Sequence, residues 1–325
     1  MIPRTPIFIG GCERSGTTML GSYLGKHPAL LVTPESLFKT ELMRRMSLQG
    51  ALDTQATVAY LRRSKGIQLW EIPLDKLESA LQEEKEIGFQ KLMDLLLDLF
   101  QENMGFEATS YWVDHTPHNM RLGIRLSQLY PEAKFIHIVR DGRGVAYSYR
   151  GVNWGPYETY YSAKDWVYKV GFGLALAHQL GPKRVLLTRY EDILAEPAKE
   201  ISRICSFLGL DYEILAAGQE RFQVPFYSKQ QHALVGKGLK KENKDRWRKG
   251  LSKRDLQVFE SVAMDFLPSL GYSLLYEDNP IRISLGSKII FRWKEDARNI
   301  EKHYKKRKME RRIRREMSKA PRKDE

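Results

Sequence analysis

The strongest constraint in the sequence is an octapeptide near its start, Gly11-Cys12-Glu13-Arg14-Ser15-Gly16-Thr17-Thr18. An apolar run, Pro6 to Gly11, precedes it and reads as a buried strand. Helically spaced apolar residues (Met19, Leu20, Tyr23, Leu24) follow it, up to His27-Pro28, where the residue before proline disfavours the α region. Two glycines five positions apart, between a strand and a helix, form a turn whose backbone N–H groups converge on an anion, and the helix N-terminus adds positive potential. A loop built for a nucleoside triphosphate would continue with Lys and then Ser or Thr. Here Thr17 stands in the lysine position, so the positive charge must come from Arg14, whose guanidinium can hold a phosphate bidentately.

Further along, apolar strand-like runs alternate with helical patterns. Ala29 to Val32, Ser110 to Val113, Lys134 to Val139 and Arg184 to Thr188 read as strands. Met120 to Leu129, Gly144 to Tyr149, Lys164 to Leu180, Ala198 to Leu208 and Ser252 to Leu267 read as helices, the last opening on a capping-box pattern, Ser252-x-x-Asp255. Such alternation predicts an α/β fold, a P-loop-like three-layer arrangement with a central parallel sheet flanked by helices. Ligands in such sheets bind beyond the carboxyl ends of the strands. The expected organisation is one domain over residues 1–280, with a largely helical insert at about 38–107, and a basic helical or partly disordered tail over 281–325. In the insert, Leu92, Leu95, Leu96, Leu99 and Phe100 define one apolar face.

A second charged motif ends the strand at Val139: Arg140-Asp141-Gly142-Arg143, with Ser148 one helix later. Arg140 and Ser148 are suited to clasp a second phosphate. Two phosphate sites without the loop lysine suit a bisphosphorylated nucleotide better than a triphosphate.

Taken together, these segments resemble the two nucleotide signatures of the PAPS-dependent sulfotransferases (PAPS is 3′-phosphoadenosine 5′-phosphosulfate). The likeness is greatest to the tyrosylprotein sulfotransferase-like branch and its bacterial relatives. The first signature, R-S-G-T-T, corresponds to Arg14-Ser15-Gly16-Thr17-Thr18; the second, R-D-x-R-x-x-x-x-S, runs from Arg140 to Ser148. The resemblance implies that Arg14, Ser15, Gly16, Thr17 and Thr18 hold the 5′-phosphosulfate and that Arg140 and Ser148 hold the 3′-phosphate. It extends to Tyr190-Glu191-Asp192, whose tyrosine would lie near the nucleotide, and to Gly236-Lys237-Gly238 before Trp247, a lysine-bearing loop. The implied activity is sulfuryl transfer from PAPS, a co-substrate, to an acceptor hydroxyl on a peptide tyrosine, a glycan, a lipid or a small alcohol. The rival readings are a P-loop kinase or nucleotidase, and a non-enzymatic protein that binds anionic surfaces.

Sulfuryl transfer needs a base for the acceptor proton and positive charge at the leaving phosphate. Glu35 follows the second predicted strand and so shares the crevice with the loop. In the resembled branch a catalytic glutamate stands at this distance from the loop arginine. The competing role for Glu35 is to cap a helix beginning near Ser36. His115, in Asp114-His115-Thr116-Pro117, is the alternative base or leaving-group cation, at a position where the family commonly has lysine. His118 and His137 read as structural. With two cysteines, Cys12 and Cys205, and no clustered third ligand beside His115 and His118, neither a disulfide framework nor a metal site is expected.

The net charge is +13, concentrated at the C-terminus: residues 301–325 carry twelve Lys/Arg against five Asp/Glu. Before that stretch, Trp293, Ala297, Ile300 and Tyr304 keep helical spacing. The tail is thus read as an amphipathic helix on an anionic membrane, as an attractor of acidic acceptors, or as a solvated tail. No run reaches the roughly 18 apolar residues of a spanning helix, so the expected location is cytoplasmic or peripheral to a membrane. No nucleic-acid partner is expected.

Overall fold

The computed structural model describes residues 4–47, 49–219 and 245–317, with side chains through residue 302. Their contacts divide into two compact units. The first comprises the described residues up to Asp141 together with those from Tyr168 to 219; the second comprises Gly142–Val167 and the residues from Asp245 onward.

The first unit contains a five-stranded sheet. Its strands are β1 (Thr5–Gly10), β2 (Leu30–Thr33), β5 (Tyr111–Asp114), β6 (Lys134–Val139) and β7 (Val185–Arg189), in the spatial order β2-β5-β1-β6-β7. Every pairing is parallel. Parallel strands are covered on both faces, which is why these segments are apolar runs rather than alternating ones. Side chains nevertheless alternate between two cores. Phe8, Leu31, Trp112 and Phe135 join the helix Phe89–Met104 on one face. Ile7, Ile9, Val32, Val113, Ile136 and Ile138 join the helices Thr17–Leu24 and Pro197–Leu208 on the other. Each such side chain contributes about 1.5–3 kcal/mol on full burial.

The insert is helical as expected, with one difference. Its chain also forms a small antiparallel pair, β3 (Ala51–Asp53) and β4 (Glu86–Gly88). Each strand has three residues of which only the middle one, Leu52 or Ile87, is buried. One apolar residue cannot display a period of two, so the pair leaves no pattern in the sequence. Leu92, Leu96 and Phe100 face the core and Leu95 and Leu99 flank it. Trp70 lies between Phe38 and Phe100, at ring centroid distances of 5.4 and 5.5 Å.

The second unit is helical. Its elements are Gly142–Tyr149, the start of the helix Thr159–Leu180, Arg246–Gly250, Lys253–Ala263 with its capping box, Phe266–Ser269 and Leu285–Met317. Arg143 is buried here. It forms an ion pair with Glu260 at 2.5 Å and lies over the Trp247 ring at 4.3 Å. Glu260 also accepts the backbone N–H groups of Leu275 and Tyr276. Arg143 of the second signature is therefore a structural anchor of this unit.

The tail helix packs through one stripe of residues. Phe291 stacks on Tyr160, the Glu295 carboxylate accepts the N–H groups of Tyr157 and Glu158, and Arg298 lies 3.7 Å from the Tyr157 ring centroid. Among the described residues, no helix is long and apolar enough to cross a membrane.

Candidate active site

The octapeptide loop leaves the sheet at the carboxyl end of β1 and enters the helix Thr17–Leu24. Gly16 occupies the N-cap with φ 102°, a conformation that suits glycine. A Cβ there would lie 2.8 Å from the Tyr190 ring, so glycine also lets the loop and Tyr190 approach. Arg14 takes φ 69°, rare for a side chain with a Cβ. No side chain caps the helix start and no acidic residue stands in its first turn. The initial N–H groups of the helix are thus left for another acceptor. Ser15 is 1% exposed, and its Oγ has no hydrogen-bond partner. A buried hydroxyl without a partner is costly, and a phosphate or sulfate oxygen would relieve it. The loop fits a phosphoryl or sulfuryl group. Thr17 and Thr18 are buried in the first helical turn.

Arg140, at the carboxyl end of the neighbouring strand β6, donates from its guanidinium to the Arg14 carbonyl at 2.9 Å. The same guanidinium lies 4.5 Å from the ring centroid of Tyr190, the first residue of the helix Tyr190–Ala195. Arg14, Gly16, Arg140 and Tyr190, singled out from three distant segments, are therefore contiguous. Ser148 lies half-buried in the last turn of the helix Gly142–Tyr149, in the second unit. Lys237 lies outside the described residues.

Glu35 follows β2 in a non-helical turn. The next helix starts only at Lys39, and its first-turn acid is Glu41, so Glu35 is not its cap. Burial, reinforced by the negative charges of Asp114 and Glu13 and opposed by Arg14, pushes the Glu35 carboxyl up to about 7. A carboxylate so placed is a competent base near neutral pH. His115 is 2% exposed. Its ring packs on Gly21, where a Cβ would lie 2.9 Å away. Burial pulls its imidazolium down to about 4, against Asp114. An imidazole so held is in its neutral form, the form that accepts a proton rather than the form that offsets charge.

Two groups of residues escaped the sequence reading. Glu13 bonds His118 at 3.1 Å and pairs with Lys169. Burial alone would raise the Glu13 carboxyl, but these two partners outweigh it and hold it at about 2. Asp114 and Lys39, both fully buried, form an ion pair. Lys39 also bonds Asn119 Oδ1 at 2.6 Å, and Asp114 accepts from Thr116. Asp114-x-Thr116 directly after a strand was the available signal. Lys39 carried none, because nothing local marks a lysine as buried.

The sequence pattern of the sulfotransferase family matches residues 6–213. The chain belongs to the sulfotransferase family. The matched span holds the octapeptide loop, Glu35, Asp114, His115, Arg140, Ser148 and Tyr190. Among similar members, the protein-tyrosine sulfotransferase 2 of Gallus gallus is 24% identical over 213 residues, covering 63% of this chain and 51% of that protein. The nodulation protein NoeE of Sinorhizobium fredii is 26% identical over 291 residues, 82% of this chain and 65% of its own length. The chain thus spans between half and two thirds of these two relatives. Two sulfotransferase domains of known structure share the fold. One, from the curacin biosynthetic pathway, has a TM-score of 0.56 at 20% identity, covering 84% of this chain and 100% of that one. The other, from the Synechococcus PCC 7002 olefin synthase, has a TM-score of 0.54 at 22% identity, covering 82% and 97%.

Proposed function

We propose that the chain transfers a sulfuryl group from PAPS to an acceptor hydroxyl, with Glu35 as the base. The observation that carries this reading is the contact of Arg140 with the Arg14 carbonyl. It brings the Arg140 guanidinium and the Tyr190 ring to the backbone of the Arg14 loop at the carboxyl ends of the strands, which supports one nucleotide with phosphates at two positions meeting both arginines. Arg14, the Ser15 hydroxyl and the N–H groups at the start of the helix Thr17–Leu24 bind the 5′-phosphosulfate. Arg140 binds the 3′-phosphate and Tyr190 packs beside the nucleotide; Ser148 is a further candidate by its place in the second signature. Lys237 remains a further candidate for the nucleotide.

In the reaction the acceptor oxygen bonds to sulfur and the bond from sulfur to the bridging phosphate oxygen breaks, releasing the 3′,5′-bisphosphorylated nucleotide. Glu35 takes the acceptor proton, and Arg14 offsets the charge that gathers on the leaving phosphate. His115, neutral and packed against the loop helix, shapes this wall rather than supplying charge.

The test is transfer of radiolabelled sulfate from PAPS into a cell extract in the presence of EDTA, with identification of the labelled product. Labelling by the wild type and not by Glu35→Gln supports the reading. Label transfer only from ATP, and only with magnesium, overturns it in favour of the kinase reading.

For the tail, we infer peripheral contact with an anionic lipid surface. Opposite the stripe that packs, Leu285, Ile289, Trp293 and Ile300 are exposed, Trp293 at 77%, and the basic run of residues 301–325 follows. An apolar stripe continued by dense positive charge complements an anionic bilayer. The full chain should co-sediment with phosphatidylserine vesicles and not with phosphatidylcholine vesicles. The double variant Ile289→Ser, Trp293→Ser should lose this; equal pelleting of variant and wild type would refute the contact.

A further inference from the structure

A network of buried polar groups adjoins Glu35, and no step of the proposed reaction uses it. β2 and β5 are neighbouring parallel strands in which Thr33 stands opposite Asp114, so the turns bearing Glu35 and Thr116 leave the sheet at one level. In the second turn the Asp114 carboxylate accepts both the N–H of Thr116, at 2.8 Å, and its hydroxyl, at 2.5 Å. A hydroxyl has one proton to donate and lone pairs to spare. With its proton committed to Asp114, the Thr116 oxygen accepts the N–H of Ser36 at 2.7 Å. That N–H belongs to the peptide joining Glu35 to Ser36. Fixing this peptide plane fixes the backbone on the carboxyl side of Glu35 and hence the direction in which its side chain leaves the chain.

We propose that Asp114 is a positioning residue for the base Glu35, acting through the Thr116 hydroxyl and the Ser36 N–H. The proposal rests on Glu35 being the base. The rest of the network holds Asp114 itself. Lys39 pairs with its carboxylate, and the Lys39 ammonium bonds Asn119 Oδ1 at 2.6 Å. Asn119 donates to the backbone carbonyls of Asp114, at 2.8 Å, and of Ile9, at 3.0 Å. The carboxyl ends of β1, β2 and β5 are thereby tied to one carboxylate. A fully buried ion pair is an expensive way to obtain stability alone, since apolar residues of similar volume often do as well. What it supplies is a fixed orientation for each member, which a base needs and a core does not. Asp114 has a second effect on the same group: its negative charge, with that of Glu13 and against that of Arg14, favours the protonated form of Glu35.

The deciding experiment compares Thr116→Val with Thr116→Ser. Valine preserves the shape and removes the bridging oxygen; serine keeps it. The valine variant is expected to lower kcat by about 10- to 100-fold, the scale of a misplaced catalytic group, while the Kd for the 3′,5′-bisphosphorylated nucleotide stays within about twofold. Serine should recover most of the loss. Asp114→Asn should also move the acid limb of the kcat/KM profile to lower pH, an effect that a merely structural tie would not produce. Wild-type kcat in Thr116→Val, equal losses in both Thr116 variants, or a parallel collapse of nucleotide binding would each overturn the proposal. Should Asp114→Asn fail to fold, the Thr116 pair still decides. Activity in Glu35→Gln defeats the base reading itself, whereas an inactive Glu35→Gln beside a normal Thr116→Val defeats only this inference.

Discussion

Arg140 and Arg14, separated by 126 positions in sequence, meet through a hydrogen bond from the Arg140 guanidinium to the Arg14 carbonyl. The bond makes Arg140 a brace for the Arg14 loop as well as the proposed ligand of the 3′-phosphate. Arg14 holds an unusual left-handed backbone, and fixing its carbonyl from outside helps to keep it there.

This double role shapes the outcome of Arg140→Ala. Isothermal titration is expected to show a loss of about 10- to 100-fold in affinity for the 3′-phosphorylated nucleotide, the scale of a charge-assisted hydrogen bond. The analogue without the 3′-phosphate should lose a smaller factor, because the brace is lost in both cases. Equal losses for the two nucleotides would contradict a 3′-phosphate role.

Glu35→Gln should leave nucleotide affinity unchanged and depress kcat by about 10²–10⁴-fold. A base works as the carboxylate, so kcat of the wild type should rise with pH through about 7 and level off above it. Stability moves in the opposite sense. The folded state holds the Glu35 proton up to about 7 against an ordinary value of 4.5. Folded molecules therefore bind more protons than unfolded ones between these pH values, and stability falls as pH rises across that window. Thermal melts of Glu35→Gln should lack this decline and exceed the wild type at pH 8.

At Gly16, alanine combines a strained positive φ with a Cβ at 2.8 Å from Tyr190. Gly16→Ala should reduce nucleotide affinity by at least about tenfold and lower the melting temperature, since alanine at positive φ typically destabilises by more than about 1 kcal/mol. Tyr190→Ala in the same background should relieve part of the loss of stability, which differential scanning calorimetry would detect.

Arg143, one residue of the same signature, should behave differently. Arg143→Ala leaves Glu260 buried without its cation and is expected to cost about 3–5 kcal/mol of stability, measured by urea denaturation. Glu260→Gln, which keeps one oxygen to accept the Leu275 and Tyr276 N–H groups, should be milder than Glu260→Ala.

The phosphate-loop strand, its helix and the long apolar strands were readable in the sequence because each is a local pattern: a period, a cap, a glycine spacing. The capping box at Ser252 and Asp255 belongs to this class. The β3–β4 pair was not readable, since three-residue strands carry no period. Nor were the partners of the tail. The spacing of Trp293, Ala297 and Ile300 marked a helix, but the stripe that packs is Phe291, Glu295 and Arg298 on its other side.

At the candidate site the division is sharper. The sequence alone determined the glycine-bounded loop between a strand and a helix, the substitution of Thr17 for the loop lysine, and which arginines are the candidates for phosphates, because spacing along a chain fixes what a strand–turn–helix can present. Only the tertiary structure decided the states of the charged groups. That Glu35 titrates near 7, that His115 is neutral, that Arg143 is an anchor, and that Lys39 and Asp114 are buried together all depend on desolvation and on charges brought from distant segments. Solvent exclusion and Coulomb interaction act through space, and no local pattern of residues encodes them.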